Sequence, residues 1–289
     1  MTRLFIISLL LWLPSWSRGE VKVSYLVLEP GDSPSRQAFY RQPVRIWGDN
    51  YLVKPDEYHA LLTLVNGKCL FAFHLHGRLS PEGPANVQLG MVRPSHFNWY
   101  AGNFLNLSQD GKSLTDGGFR LLEASSSQDS GFALLEFQGP DGGQLRLELP
   151  ENDDKLQLTF TPRCRTLPCQ ATLTAYPGAY GTPELRQRLL LTANRTADST
   201  EMLLEADECW GLFADKYYDC AEGRGDGCCA FLFNPRNTSR ALLKTDRYSC
   251  QAILDYIPGQ DIHIILWDLK GWSCQQAREY LNSLIITLE

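Results

Sequence analysis

The stretch Gln144-Leu145-Arg146-Leu147-Glu148-Leu149-Pro150-Glu151-Asn152-Asp153-Asp154-Lys155-Leu156-Gln157-Leu158-Thr159-Phe160 decides the fold class. Leu145, Leu147 and Leu149 alternate with polar residues, and after a polar turn Leu156, Leu158 and Phe160 do the same. Successive side chains of a strand point to opposite faces, so each run has one apolar and one wet face, and the turn folds the pair into an antiparallel hairpin. The same period of two opens the chain body at Val21, Val23, Tyr25 and Val27. Further strand-like runs fall at 44–47, 60–65, 69–76, 119–123, 132–137, 171–176, 189–193, 229–233 and 262–267. Turn signals such as Asn66-Gly67, Asp116-Gly117-Gly118 and Pro258-Gly259 lie between them. Only the C-terminal end reads as helix, where Ser273 and Gln276 make a capping box ahead of Ala277, Tyr280, Leu281 and Leu284. The expected fold is therefore mainly β: a large antiparallel β-sandwich with a short C-terminal helix, one domain over residues 20–289.

Residues 1–19 read differently. Arg3 precedes an apolar run from Leu4 to Leu13, which Pro14 ends before the small residues Ser15, Ser17 and Gly19. That is the pattern of a secretory signal peptide. Ten helical residues rise about 15 Å, roughly half a hydrocarbon core, so a permanent anchor is not expected there, nor a membrane span later in the chain. The expected location is secreted or periplasmic. Removal of residues 1–19 takes away two Arg and leaves 25 basic against 33 acidic side chains. A dispersed acidic surface carries no footprint for nucleic acid.

Nine cysteines fit an oxidising compartment. Cys69 sits in the strand-like Cys69-Leu70-Phe71-Ala72-Phe73 and is expected as a packed free thiol. Cys164 and Cys169 bracket Arg-Thr-Leu-Pro and are the first expected disulfide; adjacent Cys228 and Cys229 are expected to pair with different partners. No C-x-x-C pair occurs, so zinc is not expected.

Two polar concentrations carry the candidate chemistry. His74 and His76 lie two apart in a strand and project from one face, with Phe73 and Leu75 on the other. They are candidate acid/base groups together with His96. The second cluster, Arg93-Pro94-Ser95-His96-Phe97-Asn98-Trp99-Tyr100, combines flat rings with Arg, Asn and His. Sugars need that combination, because their C–H faces pack on aromatic rings while their hydroxyls require aimed donors and acceptors. Trp99 or Tyr100 is the expected platform, with Asn98 and Arg93 reading hydroxyls or a carboxylate. Further along, Asp215-Lys216-Tyr217-Tyr218-Asp219 precedes a Gly-rich acidic loop. Asp215 or Asp219 is the candidate carboxylate of an acid/base pair, and Tyr217 and Tyr218 are candidate ligand contacts. The D-x-D-x-D-G spacing of a calcium loop is absent, as are the G-x-S-x-G, H-E-x-x-H and P-loop motifs. No metal or other cofactor is expected.

Several strings resemble uncharacterised exported bacterial proteins of the galactose-mutarotase-like β-supersandwich group. They are Asn98-Trp99-Tyr100-Ala101-Gly102-Asn103-Phe104-Leu105-Asn106-Leu107, Asp110-Gly111-Lys112-Ser113-Leu114, Ala175-Tyr176-Pro177-Gly178, Ala214-Asp215-Lys216-Tyr217-Tyr218-Asp219 and Leu266-Trp267-Asp268-Leu269-Lys270-Gly271. The resemblance covers about residues 97–284 and implies a fold in which the concave sheet face handles sugars, with His and acidic residues acting on the ring. It assigns no catalytic residue in this chain. The leading expectation is an exported β-sandwich protein that binds a carbohydrate-like ligand. The alternatives are a sugar epimerase, mutarotase or polysaccharide lyase using His and carboxylate chemistry, and a structural cell-envelope protein whose aromatic clusters are core.

Overall fold

The computed structural model describes residues 20–35, 38–39, 42–43, 50–94, 98–139, 142–177, 188–197, 200–217, 219, 227–246 and 248–284. The signal peptide expected at 1–19, the strand expected at 44–47, and the candidates His96 and Tyr218 lie outside the described residues. Among the described residues no helix is long and apolar enough to cross a membrane.

Two antiparallel sheets make the body. The first runs, in spatial order, Lys22–Val27, Glu57–Val65, Leu70–Ser80, Gly83–Arg93, Leu105–Gln109, Cys169–Ala175, Cys250–Tyr256, Thr238–Thr245 and Glu201–Leu203. The second runs Thr196–Ala197, Arg188–Leu191, Trp210–Asp215, Cys229–Phe233, Ile262–Trp267, Lys155–Pro162, Gly143–Pro150, Ser130–Phe137 and Phe119–Ser126. The hairpin read first from the sequence is present, with Leu147 opposite Leu158 and Leu145 opposite Phe160. Its apolar residues face the other sheet, and one shared core holds Leu145, Leu147, Leu149, Leu156, Leu158 and Phe160 beside Leu62, Phe71, Phe73 and Leu173. The architecture is a β-sandwich, as the alternation requires.

Both outer faces are also covered in part. Against the second sheet, the helix Cys274–Ser283 lays Ala277 and Leu281 on Trp210, Leu212, Ala214, Ala230 and Trp267. Ser273 caps it by accepting from the Gln276 N–H, while the Gln276 side chain accepts from the Ser273 N–H. Over the first sheet, Leu28 and Val53 pack on Leu61, Ala72 and Val92. Reciprocal backbone bonds between Gly31 and Val53 and between Val53 and Asp32 tie residues 28–35 to 50–56 as one strap.

Candidate functional site

His74 and His76 do share the outer face of Leu70–Ser80, while Phe73 and Leu75 enter the core. The hairpin register puts His59 directly opposite His76 and Leu61 opposite His74. Three imidazoles therefore stand together under the strap. One ring nitrogen donates to the other between His59 Nδ1 and His74 Nε2, 2.9 Å apart, and the ring centroids of His74 and His76 are 5.2 Å apart. This face is covered, not solvated: His59 is 2% exposed and His74 0%.

The cover is polar where it meets the rings. Glu57 Oε2 lies 3.6 Å from His59 Nε2, accepts from the Tyr51 hydroxyl, and the same carboxylate accepts from Lys54 Nζ at 3.0 Å. On the other side His76 Nε2 donates to the Gly102 carbonyl at 2.8 Å. Burial and the neighbouring His76 push His59 down to about 4, against the pull of Glu57. Burial, then His76 and His59, hold His74 well below the usual imidazole range. Burial also lowers His76, opposed by its bond to Gly102.

The irregular segment 98–104 takes the place of a strand between Gly83–Arg93 and Cys169–Ala175. Met91 donates to the Tyr100 carbonyl, Tyr100 to Thr174, and Thr174 to Phe104. Trp99 consequently turns inward. It is 1% exposed and meets the rings of Phe104 and Phe213 edge-on at 6.2 and 6.4 Å. The expected sugar platform at Trp99 is thus corrected to a core anchor. Asn98 and Arg93 are buried as well, so neither stands free on the surface to read a sugar hydroxyl. The Asn98 carbonyl accepts from the Tyr176 N–H, and Arg93 leads into a cis peptide with Pro94. Tyr100, by contrast, points outward, 38% exposed, with its ring 4.8 Å from that of Tyr176 in an edge-on pair.

Close backbone approach fixes this segment. A Cβ on Gly90 would sit 1.7 Å from the Ala101 carbonyl oxygen. Backbone cannot swing aside as a side-chain tip does, so Gly90→Ala is expected to cost about 1–3 kcal/mol or more by overpacking, read as a lowered midpoint in a urea melt. An unchanged midpoint contradicts the packing described.

Asp215 ends the strand Trp210–Asp215 facing the core side, opposite Arg188. Arg188 Nη1 donates to Asp215 Oδ2 at 2.7 Å, with both side chains nearly inaccessible, and Arg188 Nη2 donates to the Tyr248 carbonyl at 3.1 Å. Asp215 Oδ1 accepts from the Tyr217 N–H, and Asp219 Oδ2 accepts from the Asp215 N–H. Both carboxylates are thereby built into a buried turn. Tyr217 emerges from it 47% exposed, beside exposed Lys216.

The two sequence clusters converge. Trp99 bridges to Ala175, Ala175 pairs with Cys250, and Tyr176 leaves the sheet beside the turn that holds Tyr248 and Ser249. Arg188 joins that turn to Asp215, and Phe213, two residues earlier, touches Trp99. The segments that carry Tyr100, Tyr176, Tyr217 and Tyr248 therefore run to one end of the sandwich. Tyr248 is 46% exposed. His74 and His76 lie farther along the outer face, away from Asp215 and Asp219 on the second sheet.

Three members of these sites were missed in the sequence. Counting outward from the pair Val65 and Leu70 across the Asn66-Gly67 turn places His59 against His76, a signal present in the residues. Tyr176 and Tyr248 carry no comparable local signal, since their neighbourhood depends on pairing between distant strands.

The pairings expected for Cys164 with Cys169, and for Cys228 and Cys229, need correction. Cys164 and Cys169 are both thiols: the Gln109 amide donates to the Cys164 carbonyl at 2.5 Å and to Cys169 Sγ at 3.2 Å, holding the turn without a bridge. Cys228 and Cys229 are buried thiols. Cys69 is a packed thiol, donating to Asn66 Oδ1 at 3.6 Å.

Inside the core, a void lined by Leu89, Leu105, Leu107, Leu114, Phe137 and Leu145 holds about 10 Å³, room for one water-sized sphere. The sequence matches no known protein family and no curated protein. Among solved structures the chain is similar to the heparan sulfate lyase HepC from Pedobacter heparinus, with 9% identity over 72% of this chain and 36% of that one and a TM-score of 0.41. The chain thus spans little more than a third of the lyase's length. It is also similar to a galactose mutarotase related enzyme from Lactobacillus acidophilus, with 9% identity over 75% of this chain and 98% of that one and a TM-score of 0.30. These likenesses concern sheet architecture alone and assign no residue a role.

Proposed function

We propose that the chain is an exported β-sandwich protein that binds a carbohydrate-like ligand at the tyrosine-rimmed end of the sandwich. The observation that carries this reading is the exposure of Tyr100, Tyr217 and Tyr248 on segments that the buried Arg188–Asp215 pair and the Trp99–Ala175 bridge bring to one end. Exposed rings on a rigid base offer flat apolar faces to sugar C–H groups, while phenolic hydroxyls and Lys216 supply hydrogen bonds. Binding is preferred over epimerase or lyase chemistry because Asp215, Asp219 and His74 are committed to internal bonds.

The test is a glycan array probed with the secreted chain and with Tyr100→Ala, Tyr217→Ala and Tyr248→Ala. Each variant is expected to weaken binding about tenfold, or ~1.4 kcal/mol, while stability changes by less than about 0.5 kcal/mol. No bound glycan, or three variants that bind as tightly as the parent chain, overturns the proposal.

A further inference from the structure

We propose that Arg120 and Arg163, set around the Glu136 carboxylate on the outer face of the second sheet, form a binding site for an oxyanion: the sulfate or carboxylate group of an acidic ligand. The strands that carry the site, Phe119–Ser126, Ser130–Phe137, Gly143–Pro150 and Lys155–Pro162, lie at the opposite edge of that sheet from Arg188–Leu191 and Trp210–Asp215. The site is therefore independent of the binding end proposed above.

Strand alternation builds the site. Phe119, Leu135, Phe137, Leu145 and Phe160 enter the core, so Arg120, Glu136, Gln144 and Thr161 face outward. The register aligns those four in one row across the sheet, with Arg120 opposite Glu136, Glu136 opposite Gln144, and Gln144 opposite Thr161. From one side Arg120 Nε donates to Glu136 Oε2 at 2.6 Å. Arg163, two residues beyond Thr161, reaches back from the other: its Nη2 donates to Glu136 Oε1 at 3.2 Å and its Nη1 to the Gly139 carbonyl at 2.7 Å.

The Glu136 side chain is only 10% exposed, whereas those of Arg120 and Arg163 are 58% and 47% exposed. The carboxylate is thus the floor, and the guanidiniums stand open above it. Among the described residues Glu136 is the only carboxylate in ion-pair contact with either of them. Burial raises the Glu136 carboxyl, but Arg120, Gln138 and Arg163 win and hold it below the usual carboxylate range. Two cations on one anion leave one positive charge over, in a chain whose acidic side chains outnumber its basic ones by 33 to 27. A guanidinium carries five N–H donors in a planar fork. Arg120 spends its Nε–H on Glu136, so its Nη1 and Nη2 groups remain for a second oxyanion, and Arg163 keeps its Nε–H. The exposed Gln144 amide and the half-buried Thr161 hydroxyl add uncharged donors in the same row. A carboxylate or sulfate, with two oxygens to place at once, matches such a fork; a single-atom ion such as chloride does not.

The test is an NMR titration of the full isotope-labelled chain with sodium sulfate and, separately, with sodium glucuronate, read at the arginine Nε–Hε signals with sodium chloride holding the ionic strength constant. The Arg120 and Arg163 signals are expected to shift saturably in the millimolar range with at least one of the two anions, and not with chloride alone. The anion that binds more tightly identifies the ligand's group as sulfate or carboxylate. Arg120→Gln is expected to weaken binding about tenfold, read at Arg163, while Arg146→Gln, which breaks the separate Arg146–Glu148 pair, leaves it unchanged. No saturable shift, equal shifts with chloride, or unchanged affinity in Arg120→Gln overturns the proposal and leaves the two arginines as a brace for Glu136. Should Arg120→Gln not fold, Arg120→Lys keeps a charge against Glu136 but removes the fork; affinity equal to that of the parent chain in that variant overturns the proposal, and a loss of about tenfold supports it.

Discussion

Asp215→Ala is expected to cost about 3–5 kcal/mol of folding stability, because it leaves the Arg188 guanidinium buried without its carboxylate. The same change strips the Tyr217 N–H of its acceptor. A paired replacement, Arg188→Met with Asp215→Leu, removes both charges and is expected to recover most of the loss, since well-packed apolar residues often match a buried ion pair. Urea unfolding of the three chains reads the difference directly. The same stability in Asp215→Ala as in the parent chain contradicts the structural role given to this pair.

Trp99→Ala is the second large effect. The side chain fills the space between Phe104 and Phe213, linking the segment 98–104 to the second sheet. Truncating so large a buried side chain costs about 3–5 kcal/mol, through lost transfer energy and the cavity left behind. Thermal melting is expected to show that loss whether or not a sugar is present. Diminished binding in this variant therefore reports disturbed packing under Tyr100, not a lost contact. A melting temperature equal to that of the parent chain contradicts the burial of Trp99.

Legibility in the sequence followed how a strand is exposed. Gly143–Pro150 and Lys155–Pro162 have one wet face, and their alternation announced them. Trp210–Asp215 is buried on both faces, because the C-terminal helix covers the side away from the core, so no alternation marks it. Gly83–Arg93 carries Pro84 and Gly90, which read as breakers. The glycine is there to admit the Ala101 carbonyl. The capping box at Ser273 is local and was readable for that reason.

The site was half legible. Tyr100 and Tyr217 were named from composition and are exposed, but the same composition named Trp99, which the bridge to Ala175 turns inward. Adjacent residues of an extended segment face opposite ways, and sequence alone does not say which of the two meets the core. Asp215 reads as a catalytic carboxylate until Arg188, 27 positions away, is found against it. That partnership exists only in the pairing of Arg188–Leu191 with Trp210–Asp215.

Hydroxyl-radical footprinting of the tyrosines, with and without an oligosaccharide that the chain binds, tests the proposed binding end most directly. Tyr100, Tyr217 and Tyr248 are predicted to be protected by the sugar, while Leu79 and Ile257, exposed toward the opposite end of the sheet, react as before. Protection of Leu79 and Ile257 with the three tyrosines left reactive contradicts the account.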